Sequence, residues 1–222
     1  MTRNVLVVAV HPDDETLGCG GALLRHVADG DRIHWLIVTD MVPELFAPDR
    51  IARRENEIAA VAQAYAFSSL HRLRLPTTRL DTLPDTAMVE AFGKVFSEVQ
   101  PDTVYLPYAN DVHSDHRKVF AAGWACTKSF RHPCVKRVLM MEVLSETEFA
   151  PPLPGHAFVP NVYCDVSQFI ARKIEILQMY QGELASAPFP RSVEAVRSLA
   201  AYRGAVAGCH FAEAFMLLKD CY

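Results

Sequence analysis

The sequence has no apolar run long enough to cross a membrane and no cluster of basic residues. Its apolar stretches, such as Val5–Val10, fall far below the roughly 18 residues that a membrane helix needs. With 22 lysines and arginines against 26 aspartates and glutamates, the formal net charge of the 222 residues is −4. This balance offers no basic patch for nucleic acid or for an anionic membrane surface. We therefore expect a cytoplasmic protein without a nucleic-acid partner and without membrane insertion.

Motifs for three other chemistries are also missing. None of the six cysteines belongs to a C-x-x-C pair, so reduced thiols are expected rather than a disulfide framework. The Gly18–Gly21 segment lacks the third glycine of G-x-G-x-x-G, because Leu23 stands there, and this excludes a dinucleotide-binding loop. No G-x-S-x-G elbow is present, so a serine nucleophile is not expected.

Short apolar segments alternate with amphipathic segments along most of the chain. The hydrophobic spacing predicts strands at 4–10, 33–39, 70–75, 103–107, 137–143 and 162–165. It predicts helices at 15–29, 50–67, 84–99, 115–130 and 167–181, with at least one more helix after Pro190. No linker interrupts the pattern. The sequence therefore predicts a single-domain, Rossmann-like α/β fold, with a mostly parallel sheet flanked by helices.

Histidines and carboxylates are concentrated directly after two of the predicted strands. His11-Pro-Asp-Asp-Glu15 follows the first strand, and Asn110–His116 follows the fourth. In an open α/β sheet, ligands bind outside the carboxyl ends of the strands. We therefore expect these two clusters to form one site. The alternative is a proline-fixed turn whose carboxylates only cap a helix, and two clusters at two strand ends argue against it.

Imidazole and carboxylate are ligands that Zn²⁺ prefers when thiolates are not used. His11, Asp14 and one histidine of the second cluster would leave the fourth position of a catalytic zinc open for water. The carboxylate that does not bind the metal is then a candidate general base. The remaining histidine would stabilise an oxyanion if it stays protonated, and Asp115 is expected to keep it so.

These motifs resemble the PIG-L (LmbE-like) zinc-dependent de-N-acetylase family. The resemblance extends over nearly the whole chain and implies one deacetylase domain at 1–222. Further segments that are similar to family motifs are Arg54–Glu57, Asp165–Tyr180, Tyr202–Gly204 and Ala212–Phe215.

The resemblance implies hydrolysis of an N-acetyl group, usually on a glucosamine unit, by a water activated by one Zn²⁺ per chain. The ligands that it implies are His11, Asp14 and His116. It makes Asp13 the general base and His113 the oxyanion-stabilising residue, supported by Asp115. The implied partner is a small N-acetylated sugar.

Two residues are expected to contact the substrate. The resemblance implies this role for Arg54, whose alternative is a helix-face charge that pairs with Glu57. Asp40 precedes Met41, where family members often carry glycine, and both residues are expected to shape the sugar pocket. The many carboxylates of the site favour a neutral substrate, unless Arg54 or Arg203 reaches the site.

Two other functions remain open at this point. One is a different metal-dependent hydrolase, either a phosphoesterase or an amidohydrolase that acts on a non-sugar substrate. Phosphoesterases commonly hold two metals, which takes more ligands than these clusters provide. The other is a catalytically inactive sugar-binding relative, which would have no need of Asp13. The exact substrate and the formation of a homo-oligomer are left open.

Overall fold

Strands and helices alternate as the hydrophobic spacing predicts. The structure, a computed structural model, describes residues 2–222. Within this range the strands are β1 (Asn4–Ala9), β2 (Arg32–Asp40), β3 (Ser69–Pro76), β4 (Thr103–Pro107), β5 (Arg137–Met141), β6 (Val162–Asp165) and β7 (Ala212–Asp220). The helices are α1 (Asp14–Ala28), α2 (Pro48–Tyr65), α3 (Asp85–Val99), α4 (Ser114–Cys126), α5 (Ile170–Leu177) and α6 (Val193–Ala207), with a 3₁₀ turn at Leu80–Thr82. None of the described helices is long and apolar enough to span a membrane.

The strands form one sheet in the order β3-β2-β1-β4-β5-β7-β6. Strands β1 to β5 run parallel, and β7 is antiparallel to both β5 and β6. The predicted α/β class and the mostly parallel sheet are confirmed. From β1 the chain first adds β2 and β3 on one side of the sheet, and it then returns to add β4 and β5 on the other side. The direction in which strands are added therefore reverses between β1 and β4. Ligands bind at such a switch point, outside the carboxyl ends of the strands.

Strand β1 lies at the centre of the core and is buried on both faces. Val5, Val7 and Ala9 belong to an apolar cluster with α1, α2, α5 and α6. Leu6 and Val8 belong to a second cluster with α3 and α4. Burial on both faces explains why the segment is continuously apolar rather than alternating.

Strand β7 and the lengths of two helices differ from the sequence prediction. A further strand, β7, follows α6 and lies between β5 and β6. Helix α4 ends at Cys126 instead of residue 130, and α5 covers only Ile170–Leu177 of the predicted 167–181. Strand β7 depends on partners at least 47 residues away in the chain, so local spacing does not reveal it.

Helix α1 is broken at Cys19, where φ is −148° and ψ is 21°. Glycines at the break allow close packing: a Cβ on Gly18 would lie 2.7 Å from the sulfur of Met141, and one on Gly21 would lie 2.6 Å from Val166. The predicted continuous helix is therefore two shorter helices. The glycine-rich segment packs against Met141 of β5 and against Val166, which follows β6, in agreement with the rejection of a nucleotide loop.

Candidate metal centre

The two predicted clusters meet at the carboxyl ends of β1 and β4. His11 follows β1, and Asp14 begins α1. His113 is the N-cap of α4, and His116 lies in the first turn of that helix. Strands β1 and β4 are hydrogen-bonded neighbours, which brings the segments that follow them together.

Three of the side chains form a group that can hold a metal ion. Ligand atoms of His11, Asp14 and His116 all lie within 4.8 Å of one another. The Oδ2 atom of Asp14 lies 3.8 Å from His11 Nδ1 and 3.4 Å from His116 Nε2. The same oxygen accepts a hydrogen bond of 2.8 Å from the His11 backbone N–H.

The environment of His116 fits a bound cation. This residue is fully buried, and its Nε2 has no hydrogen-bond partner within residues 2–222. Its Nδ1 lies 2.8 Å from Asp111 Oδ2, as in metal sites where a carboxylate orients the histidine ligand. Burial alone lowers the pKa of His116, but Asp14 and Asp111 outweigh it and raise the pKa to about 9. Metal binding at Nε2 therefore competes with a proton.

The structure gives Asp115 further partners besides the expected one, His113. Its carboxylate accepts hydrogen bonds from the backbone N–H groups of Thr78 (2.6 Å) and Leu80 (3.2 Å), and it faces His11 Nε2 at 3.4 Å. The backbone N–H of Asp115 donates to Nδ1 of the His113 ring at 3.1 Å, and the Asp115 carboxylate lies within 4.8 Å of a His113 ring nitrogen. Asp115 thus orients His11 as Asp111 orients His116.

The expected protonation of His113 is not supported. Burial lowers the pKa of His113, and the neighbouring His11 lowers it further, while the negative charge of Asp115 opposes this only in part. Because Nδ1 accepts a hydrogen bond from Asp115, the proton of a neutral His113 ring is on Nε2. The ring is half-buried and lines the cavity beside His11.

Asp13 is buried and has an unusual backbone conformation, with φ of 133° and ψ of −27°. Such positive φ values are strained for residues other than glycine and need support from the surroundings. Glu15 gives this support: one of its oxygens accepts from the Asp13 backbone N–H at 3.1 Å. The other oxygen of Glu15 accepts from the hydroxyls of Thr16 (2.6 Å) and Tyr180 (2.7 Å).

The carboxylate of Asp13 points into the cavity and is not part of the three-residue ligand group. Burial raises its pKa well above the ordinary range, and the negative charges of Asp14 and Glu183 add to this effect. Arg191 and Arg54 oppose the rise only in part. A carboxylate with a raised pKa is suited to both accepting and returning a proton near neutral pH.

Arg54 and Asp40 line the cavity, but their charged groups are paired with other residues of the protein. Arg54 Nη1 donates to the Pro12 carbonyl at 2.6 Å, and its guanidinium also pairs with Glu183 and with Glu57. The alternative pairing with Glu57 is therefore present. Asp40 forms ion pairs with Arg72 (2.7 Å) and Arg74 (3.0 Å). Direct substrate contact by these two residues stays a prediction.

The cavity has a volume of about 370 Å³ and contains more positive charge than expected from the sequence. The arginines in its wall are Arg50, Arg54, Arg72 and Arg191. Arg203 pairs instead with Glu142 at 2.6 Å, in a different part of the protein. The carboxylates in the same wall are Asp13, Asp14, Asp40, Glu55, Glu146 and Glu183, and they outnumber the arginines. The four arginines therefore offset the negative charge of the site only in part.

The sequence analysis did not predict three residues that contribute to the site. Asp111 stands inside the second motif, five residues before His116, so its position was a usable signal. Glu15 completes the first motif in the same way. Arg191 comes from the loop after Pro190 and reaches Asp13 Oδ2 at 3.4 Å, and no local pattern marks it.

Comparison with known proteins identifies the family. Residues 6–127 match the PIG-L family, described as GlcNAc-PI de-N-acetylase. This chain belongs to the PIG-L family. The matched segment contains both histidine clusters, whereas Arg191 lies outside it.

Similar proteins include one curated relative and several solved structures, and the solved structures show the shared fold. The diacetylchitobiose deacetylase of Thermococcus kodakarensis is 23% identical over 222 residues, which are 95% of this chain and 81% of the relative. A conserved protein of Thermus thermophilus has a TM-score of 0.78 at 25% identity, covering 100% of this chain and 97% of the other. The 4-carboxy-2-hydroxymuconate hydratase GalB of Pseudomonas putida has a TM-score of 0.77 at 17% identity, covering 100% and 98%. This fold therefore serves more than one reaction, and the site must decide the function.

Proposed function

We propose that this PIG-L family protein is a zinc-dependent de-N-acetylase that acts on a GlcNAc-type sugar. The observation that carries the proposal is the buried Asp13 carboxylate in the same cavity as His11 and Asp14, outside the ligand group. Family membership and the deacetylase name of the Thermococcus relative support the reaction class. We also propose that 1–222 acts as one domain, because Arg191 contacts Asp13.

His11, Asp14 and His116 are the residues that would hold the zinc ion. Bound zinc supplies Lewis-acid activation of water and of the amide carbonyl. Asp13 accepts the proton that the attacking water loses, and it then returns this proton to the nitrogen of the leaving amine. The products are acetate and the free amino sugar.

His113 donates a hydrogen bond to the oxygen of the amide carbonyl as negative charge develops there. A neutral ring is sufficient for this role, because Asp115 fixes Nδ1 as the acceptor and leaves the proton on Nε2. This assignment replaces the cationic His113 expected from the sequence.

The cavity supports a small-molecule substrate. Its volume of about 370 Å³ lies in the range of small-molecule sites, and apolar side chains such as Leu17 and Ile58 share the wall with charged groups. A pyranose presents both hydroxyl groups and an apolar ring face, which suits this mixed wall. The cytoplasmic location and the absence of a nucleic-acid partner stay predictions.

The test is acetate release by the zinc-loaded protein, together with elemental analysis. Asp13→Asn keeps the shape of the side chain but cannot accept a proton, so it should retain zinc and lose about 10²–10⁴-fold in kcat. His116→Ala should lose zinc and activity together. Asp85→Asn is the matched control, since Asp85 is exposed on α3 and pairs with Lys118 at the surface.

The substrate panel separates the remaining alternatives. N-acetylglucosaminides should give a higher kcat/KM than acetyl-lysine peptides. The opposite preference would remove the sugar from the proposal but leave the amidohydrolase. Phosphate release from phosphoesters without acetate release, or near-normal turnover by Asp13→Asn, would refute the proposed reaction.

A further inference from the structure

A second cavity, of about 430 Å³, opens at the opposite end of the sheet from the metal ligands. Arg3, Thr103 and Arg137 in its wall stand at the beginnings of β1, β4 and β5. The last turn of α1 closes its other side. The volume lies in the range of small-molecule sites. Because the metal ligands follow the carboxyl ends of the strands, this cavity is separate from the candidate active site.

Arg137 is the cation in this wall whose side chain has no protein partner. Its buried Nε lacks a hydrogen-bond acceptor, and its guanidinium forms no ion pair in the part of the chain that the structure describes. By contrast, Arg3 pairs with Asp31 at 2.8 Å, and Arg25 donates to the Asp165 carbonyl at 2.9 Å. A buried donor without an acceptor is costly, so the position favours a ligand that supplies one.

The other polar groups inside the cavity are already satisfied. His26 Nδ1 lies 2.8 Å from Asp31, and its Nε2 lies 3.0 Å from the Tyr105 hydroxyl. Burial lowers the pKa of His26, so the neutral ring donates to Asp31 and accepts from Tyr105. Leu139 and Phe215 add buried apolar surface to the wall. The interior thus combines one unpartnered guanidinium with an apolar and aromatic surface.

We propose that this cavity binds a small monocarboxylate with an aromatic or apolar body. The carboxylate accepts hydrogen bonds from the planar donors of Arg137, for which two carboxylate oxygens are a matched acceptor. The body packs against Tyr105, Leu139 and Phe215. A single charge fits better than a phosphate dianion, because Arg137 is the one free cation among the described lining residues and Asp165 lies at the exposed rim.

The test is calorimetric titration of the zinc-loaded protein with phenylacetate and with its neutral isostere, phenylacetamide. Phenylacetate should bind the wild type at least tenfold more tightly than phenylacetamide. Arg137→Met should weaken phenylacetate binding at least tenfold while deacetylase activity is unchanged. Arg172→Met is the control, because Arg172 is an exposed arginine on α5 that pairs with Glu175.

Two results would overturn the proposal. One is equal affinity of the wild type and Arg137→Met for phenylacetate, which would place the carboxylate elsewhere, for example at the metal ligands. The other is equal affinity of the wild type for the acid and the amide. The second comparison uses no variant, so the proposal can still be refuted if Arg137→Met does not fold.

Discussion

Lys173 and Glu213 bridge the break in α1, and removing one of these charges should destabilise the protein more than its loss of contacts suggests. Both side chains are about 95% buried and lie 2.7 Å apart. Lys173 Nζ also donates to the Leu17 carbonyl, at the end of the first part of α1. Glu213 accepts from the backbone N–H groups of Gly21 (2.8 Å) and Ala22 (2.7 Å), at the start of the second part.

The expected loss of stability depends on which hydrogen-bond partners the remaining charge keeps after each substitution. Breaking a buried pair costs about 3–5 kcal/mol, because the other charge is left without a counter-ion. After Lys173→Met, Glu213 still accepts two backbone hydrogen bonds. After Glu213→Gln, Lys173 keeps one carbonyl as a strong partner, so this variant should be the less stable of the two. The melting temperature should fall by roughly 6–20 °C.

The assay is urea unfolding of the metal-free protein, with the two single variants and the double variant in one cycle. The double variant buries no lone charge, so its loss of stability should be well below the sum of the two single losses. Arg172→Met is the control for an exposed pair and should change stability by less than about 1 kcal/mol. Additive losses in the cycle, or single losses below about 1 kcal/mol, would refute the reasoning.

Three further predictions concern the site and the packing of glycines. Asp115→Asn should weaken zinc binding about 10–100-fold in chelator competition, because the carboxylate orients His11; unchanged affinity would contradict this role. Burial raises the pKa of Glu15 from 4.5 to about 7, so the folded state favours the neutral form and the metal-free protein should lose about 3 kcal/mol of stability from pH 4.5 to 7. Urea titrations at several pH values give the free energy of unfolding across this range, and it should fall less steeply with pH in Glu15→Gln than in the wild type. An equal dependence on pH in both proteins would disprove the assignment. Gly21→Ala should destabilise by about 1–3 kcal/mol through overpacking, whereas Gly93→Ala, in open space on α3, should stabilise by about 0.5–1 kcal/mol; calorimetry checks both.

The sequence by itself was sufficient for the fold class, for β1 to β6 and for the two motifs of the site. Strand and helix periodicity are local properties, so segments such as Asn4–Ala9 are recognisable without knowledge of their neighbours. The motifs at 11–15 and 113–116 are contiguous and follow strands. Because parallel strands end at one edge of a sheet, their proximity could be inferred before any coordinates were known.

Only the tertiary structure decided β7, the break in α1 and the partners of the charged residues. Strand β7 forms because β5 and β6 present unpaired edges to it, and those edges belong to distant segments. Asp115 turns toward the Thr78 and Leu80 backbone because these N–H groups need an acceptor where the loop packs on α4. Arg191 reaches Asp13 across 178 positions of the chain. Donors and acceptors at such separations pair only after the fold has brought their segments together. The spacing of residues along the chain does not contain this information.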